Sequence, residues 1–326
     1  MYQISLVIFA IIIFIISCFS VKKDESSQVD YFYKSLLAQE IPININSSND
    51  KQTQKQTINL IYFQDKSKYG NFGDELSKFI TKSLINKNKY NLVFDDFSSK
   101  NHENFINLVV IGSYIHKAPN NSYIYGSGVR TDPPIEGKKA HNYEFLNVCA
   151  VRGPKTLKFL EERKGIKVSS PAIFGDPGLL VREFFQAERQ NMPELHDKTC
   201  LVPHKSNLEI YLDRAKAENG SGLPNIHHII NPLHPWQKVI SQISNCKYII
   251  SSSLHGLIIA DSYNIPNLWL EEFVLSEGDF KFLDYFESQG REVLKISNLS
   301  EFSEDLLYFG GNKIDLGVLR GAFPFS

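Results

Sequence analysis

The sequence predicts an α/β protein with two Rossmann-like lobes that face a cleft, preceded by an N-terminal hydrophobic helix. Short aliphatic strands alternate with helix-like segments along most of the chain, and the strands lack the polar alternation of a half-exposed sheet. Such strands are buried on both faces, as in a parallel sheet that is covered by helices. The length of 326 residues suits two domains of about 150 residues each.

The composition is that of an ordinary globular protein. Hydrophobic residues make up 42% of the chain and charged residues 22%, which excludes a mostly disordered protein. Lys and Arg number 35 against 36 Asp and Glu, so that the formal net charge is -1. A protein that binds a nucleic-acid backbone normally carries a strong basic excess. We therefore expect no nucleic acid as a partner.

The first element is an apolar segment at residues 1–21, which contains no charged side chain. An apolar helix of about 18 residues is about 27 Å long, close to the thickness of the bilayer core. A buried helix of a folded domain would show a polar stripe, whereas this segment has only scattered serines. The segment is therefore predicted to be a membrane anchor or a signal segment, with the membrane as a partner.

The flanks of this segment do not decide between retention and cleavage. Ile15-Ile16-Ser17-Cys18 resembles a bacterial lipoprotein box, but the basic region that precedes a signal core is missing. We expect an uncleaved anchor. Lys22-Lys23 is followed at once by Asp24-Glu25, so the flanking charges leave the side of the membrane open.

Three further regions follow the apolar segment. Residues 22–57 are polar and poor in aliphatic side chains, which is typical of a stem or linker. Residues 58–192 are predicted to form the N-terminal lobe, and residues 193–326 the C-terminal lobe. The predicted strands lie at residues 58–63, 92–94, 108–111, 123–125, 148–151, 199–202, 228–230, 248–250 and 267–270. The predicted helices lie at residues 75–85, 155–162, 208–217, 236–243, 254–262 and 281–288.

The cysteines and histidines give no sign of a metal site. Cys18 lies in the apolar segment, and Cys149, Cys200 and Cys246 are widely spaced, so neither a disulfide framework nor a Cys-x-x-Cys metal site is indicated. No His-x-x-His pattern with an acidic third ligand is apparent, so no metal is expected. His204, which follows a predicted strand, could face the cleft or be merely structural.

Polar residues follow several predicted strands, and ligands of open parallel sheets bind beyond these strand ends. Asn71 and Asp74 lie in the loop after the first strand, where Asp74 could cap the next helix or hold a sugar hydroxyl. Ser113 follows the third strand, and Ser127 and Gly128 follow the fourth in a tight turn. These residues are candidate substrate contacts, although ordinary caps and turns use the same residue types.

Arg152 ends a buried strand and precedes a helix that starts with Pro154. A guanidinium at this edge of the sheet can bind a carboxylate or a phosphate through two parallel hydrogen bonds. The alternative is a structural salt bridge, which needs no ligand.

A strand at residues 248–250 runs into three serines and a helix. Ser251, Ser252 and Ser253 precede the helix, His255 lies in its first turn, and Gly256 removes side-chain bulk. A helix N-terminus presents unpaired N–H groups and the positive end of a dipole, which together favour a phosphate. An imidazole here can exchange protons with the bound group, although the dipole tends to lower its pKa. The alternative is an ordinary serine cap beside a packed histidine.

Taken together and in order, these motifs resemble the polysaccharide pyruvyl transferase family. The segments that carry the resemblance are Asn71-Phe72-Gly73-Asp74-Glu75-Leu76, Ile111-Gly112-Ser113, Tyr125-Gly126-Ser127-Gly128, Ala150-Val151-Arg152-Gly153-Pro154, Gly175-Asp176-Pro177-Gly178-Leu179-Leu180, Val202-Pro203-His204 and residues 251–261. The resemblance covers the chain from about residue 58 to residue 290. One departure is Ser253, because many members of the family place an Arg just before the Leu-His-Gly. The contact that this Arg would make to an anionic ligand is missing here or is supplied elsewhere.

The resemblance implies a two-lobed fold similar to that of GT-B glycosyltransferases and a transfer of pyruvate from phosphoenolpyruvate onto a sugar of a glycan or polysaccharide as a ketal. It implies that Arg152 binds the donor and that His255 is the catalytic acid/base residue, with Asn71, Asp74 and His204 as further contacts. Phosphoenolpyruvate is the donor substrate, and no cofactor is expected. An anchor followed by a stem resembles secretory-pathway transferases, which in a eukaryote favours the Golgi lumen.

Two other functions are compatible with the same sequence. One is a nucleotide-sugar-dependent GT-B glycosyltransferase, which would need groups for a nucleoside in the second lobe. The other is a catalytically inactive glycan-binding relative, which Ser253 would favour.

Overall fold

The computed structural model describes residues 55–65, 67–99, 102–130, 145–164, 168, 172–187, 192–216, 223–271 and 278–326. The predicted apolar segment (residues 1–21) and nearly all of the predicted stem (residues 22–57) lie outside these ranges. None of the helices inside them is long and apolar enough to cross a bilayer. The anchor and the stem therefore stay predictions.

The first sheet has five parallel strands in the order β2-β1-β3-β4-β5. Its strands are β1 (Gln56–Ile61), β2 (Tyr90–Asp95), β3 (Ile106–Val109), β4 (Tyr123–Tyr125) and β5 (Asn147–Ala150). Leu60 and Ile61, which are neighbours in β1, are both fully buried and belong to different apolar clusters. The cluster of Leu60 includes residues of helix α1 (Phe72–Leu84), and that of Ile61 includes residues of helix α2 (Pro154–Lys164). The sheet is thus covered on both faces.

The second sheet also has five parallel strands, in the order β10-β9-β8-β6-β7. Its strands are β6 (Thr199–Val202), β7 (His228–Ile229), β8 (Tyr248–Ser251), β9 (Asn267–Leu270) and β10 (Lys295–Ile296). The remaining helices are α3 (Val181–Phe184), α4 (Leu208–Lys216), α5 (Trp236–Asn245), α6 (Leu254–Ser262), α7 (Phe280–Ser288) and α8 (Leu316–Gly321). Two parallel sheets with helices between their strands confirm the predicted α/β class with Rossmann-like halves.

The C-terminal end of the chain packs against the first sheet, although it follows the second in sequence. Tyr125 of β4 donates a hydrogen bond from its hydroxyl to the carbonyl oxygen of Leu319 in α8, at 2.9 Å. Phe323 lies 5.2 Å from the same tyrosine between ring centroids, and Phe325 lies 5.0 Å from Tyr123. These residues close one face of the first sheet.

Cys200 and Cys246 form a disulfide, which corrects the expectation drawn from their wide spacing. Cys200 lies in β6, and Cys246 follows α5 just before β8. Because β6 and β8 are hydrogen-bonded neighbours, the two Cα atoms lie 6.2 Å apart despite a sequence separation of 46 residues. This distance suits a disulfide, and strand pairing between distant segments is not visible in the spacing of cysteines.

Candidate active site

A pocket lies beyond the carboxyl ends of strands from both sheets. Its wall includes residues that follow β1, β3 and β5 in the first sheet and β6 and β8 in the second. Ligands of parallel sheets bind at such ends. The lining residues are Phe63, Asn71, Asp74, Gly112, Ser113, Tyr114, Lys117, Arg130, Arg152, His204, Lys205, Ser253, Leu254, His255 and Lys281.

The structure therefore brings together most of the predicted site residues. Those on the pocket wall are Asn71, Asp74, Ser113, Arg152, His204, Ser253 and His255. The predicted residues that do not line it are Ser127, Gly128, Ser251, Ser252 and Gly256.

The guanidinium of Arg152 lies in the pocket wall and is held on several sides. Its Nε donates to Oδ2 of Asp284 in α7 at 2.9 Å. Nη1 donates to the hydroxyl of Ser113 at 2.6 Å, and Nη2 donates to the carbonyl oxygen of Val129 at 2.8 Å. A guanidinium carries five N–H donors, so a donor remains on each Nη. The structural salt bridge, the alternative to ligand binding, is thus present, and it leaves Arg152 able to bind an anion.

Gly128 and Ser127 lie behind this guanidinium. A Cβ atom at Gly128 would lie 2.3 Å from Cζ of Arg152, so only glycine leaves room for the arginine. Ser127 is fully buried, and its hydroxyl donates to the carbonyl oxygen of Gly112 at 3.0 Å. Both residues shape the wall of the pocket from behind.

The imidazole of His255 packs against the start of α1. A Cβ atom at Gly73 would lie 2.1 Å from Nδ1 of His255, and the ring of Phe72 meets the imidazole edge to face with centroids 6.3 Å apart. Nε2 of His255 is buried and has no hydrogen-bond partner among the residues that the structure describes. The ring is therefore held against the start of α1, and the described residues do not use the hydrogen-bonding capacity of Nε2.

The surroundings of His255 keep it neutral. Burial, reinforced by the positive charges of Lys281, Arg152 and His204, lowers the pKa of the imidazole to about 3. A neutral imidazole can accept a proton, and an anionic ligand beside it would raise its pKa again.

Of the three serines before α6, Ser253 alone lies on the pocket wall. It occupies the N-cap position, but its side chain makes no capping hydrogen bond. Ser251 accepts a hydrogen bond from the backbone N–H of Ser253 at 3.0 Å, and Ser252 accepts one from the backbone N–H of His204 at 2.9 Å. A Cβ atom at Gly256 would lie 2.3 Å from Oγ of Ser251. These internal bonds order the loop that leads into the helix.

Asn71, and not Asp74, caps helix α1. The side-chain oxygen of Asn71 accepts a hydrogen bond from the backbone N–H of Gly73 at 3.1 Å, so the helix begins at Phe72, before the predicted range of residues 75–85. Asp74, which is 7% exposed, points into the pocket. Burial is the main cause that raises the pKa of its carboxyl group to about 7.

Several pocket cations were missed by sequence reasoning. They are Lys117, Arg130, Lys205 and Lys281. Lys205 follows β6, as His204 does, and forms an ion pair with Asp65. Lys281 is buried in the first turn of α7 and follows no strand or motif. With Arg152 these residues make five cationic side chains, against one carboxyl group, Asp74, among the described lining residues.

A stack of aromatic rings forms another part of the wall. Phe63 and Tyr114 are nearly parallel, with centroids 5.5 Å apart, and Nζ of Lys205 lies 4.8 Å from the centroid of Phe63.

His, Cys, Asp and Glu side chains in the described ranges, including those of the pocket, form no group of three or more that could hold a metal ion.

Comparisons with known proteins identify a family for the chain. The model of the polysaccharide pyruvyl transferase family matches residues 71–272, a range that includes Arg152 and His255 and ends before α7. The uncharacterized protein L143 of Acanthamoeba polyphaga mimivirus is 27% identical over 246 residues, which cover 74% of this chain and 77% of that protein. The succinoglycan biosynthesis protein ExoV of Rhizobium meliloti (strain 1021) is 25% identical over 225 residues, which cover 69% of this chain and 63% of ExoV. Since the family model matches more than half of its length, the chain belongs to the polysaccharide pyruvyl transferase family.

Proposed function

We propose that the chain transfers pyruvate from phosphoenolpyruvate to two hydroxyl groups of a sugar in a glycan or polysaccharide, forming a ketal and releasing phosphate. The observation that supports this donor is the charge of the pocket, because the described lining residues include five cationic side chains and one carboxyl group. Phosphoenolpyruvate carries a carboxylate and a phosphate on a small carbon skeleton. Such an anion is bound by charge-assisted hydrogen bonds from Arg and Lys.

In this proposal the donor's two anionic groups have separate contacts. The Nη donors of Arg152 suit a planar carboxylate, which a guanidinium binds bidentately. Lys281 and the N-terminus of α6 suit the phosphate, because the Ser253 side chain makes no capping hydrogen bond there. Lys281 would supply the cation that the resemblance leads one to expect at position 253.

His255 is the proposed proton-transfer residue. As a sugar hydroxyl attacks C2 of the donor, its proton can pass to the imidazole of His255, which lines the pocket. The negative charge of the bound donor would stabilise the resulting imidazolium. Acid–base catalysis of this kind contributes about 10²- to 10⁴-fold to a rate.

The assay is phosphate release from phosphoenolpyruvate across a panel of terminal galactose, mannose and N-acetylhexosamine acceptors. We expect acceptor-dependent release by the wild type and its loss in His255→Ala. His227→Ala is the matched control, because His227 is exposed and does not line the pocket. Wild-type rates in purified His255→Ala would contradict the assignment.

A thermal-shift comparison separates this function from its alternatives, because a ligand that binds the native state stabilises it. We expect phosphoenolpyruvate to stabilise the protein and UDP-sugars to have no effect. Stabilisation by UDP-sugars alone would indicate a nucleotide-sugar-dependent GT-B glycosyltransferase. Phosphoenolpyruvate binding without phosphate release for any acceptor would indicate an inactive glycan-binding relative.

The proposal extends to location. An anchor at residues 1–21 would place the enzyme on a membrane, and in a eukaryote on the lumenal side of the Golgi or another secretory compartment. The disulfide between Cys200 and Cys246 supports a lumenal location, because such bonds persist in oxidising compartments. Protease protection of the enzyme in sealed vesicles is the expected result, and digestion without detergent would contradict it.

A further inference from the structure

The carboxyl group of Asp74 has no hydrogen bond or ion pair within the part of the chain that the structure describes. The residue is nevertheless 7% exposed and lies on the pocket wall. A buried polar group without a partner is unfavourable unless a ligand or a function requires it. Asp74 shares the pocket with His255, whose Nε2 is buried and has no hydrogen-bond partner among the described residues.

The two groups come from different halves of the fold and meet at the start of α1. Gly73 packs against the imidazole of His255, and Asp74 is the next residue of the helix. Oδ1 of Asp74 would lie 3.7 Å from a Cβ atom at Gly112, which places the carboxyl group above the loop that follows β3. Both residues thus line the same pocket.

We propose that Asp74 is a second catalytic residue, which protonates the donor while His255 deprotonates the acceptor, and that the two residues exchange roles in the second half of the reaction. This inference rests on the proposed function and assigns to Asp74 a chemical step rather than a binding contact alone.

The proton transfers balance over one cycle. In the first addition, the Asp74 carboxyl group gives its proton to C3, the methylene carbon, which becomes the methyl group. The oxygen of the first acceptor hydroxyl bonds to C2, and its proton passes to a ring nitrogen of His255.

In the second addition, His255 returns that proton to the bridging oxygen as the bond between C2 and the phosphate oxygen breaks. The oxygen of the second hydroxyl bonds to C2, and its proton passes to the Asp74 carboxylate. Both side chains end in their starting states. The proton of the second hydroxyl replaces the one that Asp74 gave to the methyl group. The proton of the first hydroxyl leaves on phosphate.

The electrostatics of the free pocket support these starting states. Burial raises the pKa of Asp74 to about 7; Asp65 and Glu75 raise it further, while Lys205 and Lys281 lower it. The pKa of His255 is lowered to about 3 by burial and by the cations around it. Near neutral pH the carboxyl group can therefore hold a proton while the imidazole is free to accept one, which is the separation that acid and base roles require.

The test is Asp74→Asn, which keeps the shape of the side chain but cannot transfer a proton. With both substrates saturating, we expect kcat to fall by at least about 100-fold, while stabilisation by phosphoenolpyruvate persists. Asp74→Glu should recover part of kcat. Asp213→Asn is the matched control, because it makes the same substitution in α4, where Asp213 is exposed, pairs with Lys216 at 3.0 Å and does not line the pocket.

The pH profile gives a second readout. We expect wild-type kcat/KM for phosphoenolpyruvate to decline as the pH rises through about 7, because this ratio reports the free enzyme, in which Asp74 must be protonated. Asp74→Glu should show the decline at a different pH. If Asp74→Asn raises only the KM for the acceptor and keeps wild-type kcat at saturation, Asp74 is a binding contact and the inference is wrong. Absence of phosphoenolpyruvate binding and phosphate release in the wild type would instead remove the proposed function itself.

Discussion

Arg152 and Asp284 form a buried ion pair, with Nε and Oδ2 2.9 Å apart and both side chains at most 1% exposed. Asp284 also accepts hydrogen bonds from the backbone N–H and the hydroxyl of Thr156, at 2.9 and 2.7 Å. One carboxylate in α7 thus fixes both the arginine that follows β5 and the start of α2. The guanidinium depends on α7 for its orientation toward the pocket.

We expect Asp284→Ala to lower the free energy of unfolding by about 3–5 kcal/mol, because it leaves a buried guanidinium without its counter-charge. Lys155→Ala is the matched control, since it breaks the exposed pair between Lys155 and Glu287 on the same two helices. That loss should be below about 1 kcal/mol. Urea denaturation measures both, and equal small losses would show that the buried pair does not stabilise the fold.

Gly73→Ala should reduce activity without removing any functional group. The added methyl group would lie 2.1 Å from Nδ1 of His255, so the imidazole must move away from its position in the pocket. We expect kcat to fall by about 10- to 100-fold, as small displacements of catalytic groups do.

Gly321→Ala is the control for this prediction, because a Cβ atom there meets nothing within 4 Å and the residue lies in α8. It should leave kcat unchanged and stabilise the fold by up to about 1 kcal/mol. Equal kcat values for the two variants would mean that Gly73 does not position His255.

The sequence predicts those site residues that follow a strand or begin a helix, and Arg152 and His255 both do. Lys281 and Asp284 could not be found in this way, because α7 reaches the pocket through long-range packing that no local pattern encodes. Ser127 is predicted to contact the substrate but lies behind the pocket wall. A Gly-Ser turn at a strand end has the same sequence whether it lines a pocket or supports its wall. The same limit applies to Cys200 and Cys246, which only the pairing of β6 with β8 brings together.

Lys281→Met should weaken donor binding. Loss of a hydrogen bond to a charged group removes about 1.5–3 kcal/mol, so the KM for phosphoenolpyruvate should rise about 10- to 100-fold with the KM for the acceptor unchanged. Lys158→Met is the control, because Lys158 in α2 is 71% exposed and lies outside the pocket. An unchanged donor KM would remove Lys281 from the donor site.

The disulfide between Cys200 and Cys246 should stabilise the half of the fold that carries His255. We expect Cys200→Ser with Cys246→Ser to lower the free energy of unfolding by about 2–4 kcal/mol, and a reductant to have little further effect on that variant. Cys149→Ser is the control, because Cys149 is a free cysteine. A peptide map without reductant should show the residues 200 and 246 cross-linked, and free thiols at both positions would contradict the assignment.

Asp74 should also make stability depend on pH. Its pKa is raised from 3.8 to about 7 in the folded protein, so between these values the folded state retains a proton that the unfolded state has released. The contribution of Asp74 to the free energy of unfolding is therefore present at low pH and is lost as the pH rises through that window. At about 1.4 kcal/mol per pKa unit, the loss amounts to at most about 4 kcal/mol. Asp74→Asn cannot ionise, so it should gain stability over the wild type at about pH 8 and differ little at about pH 4. Urea denaturation measures the free energy of unfolding of both proteins at the two pH values. If Asp74→Asn and wild type differ by the same amount at both, the fold does not hold the carboxyl group in its protonated form.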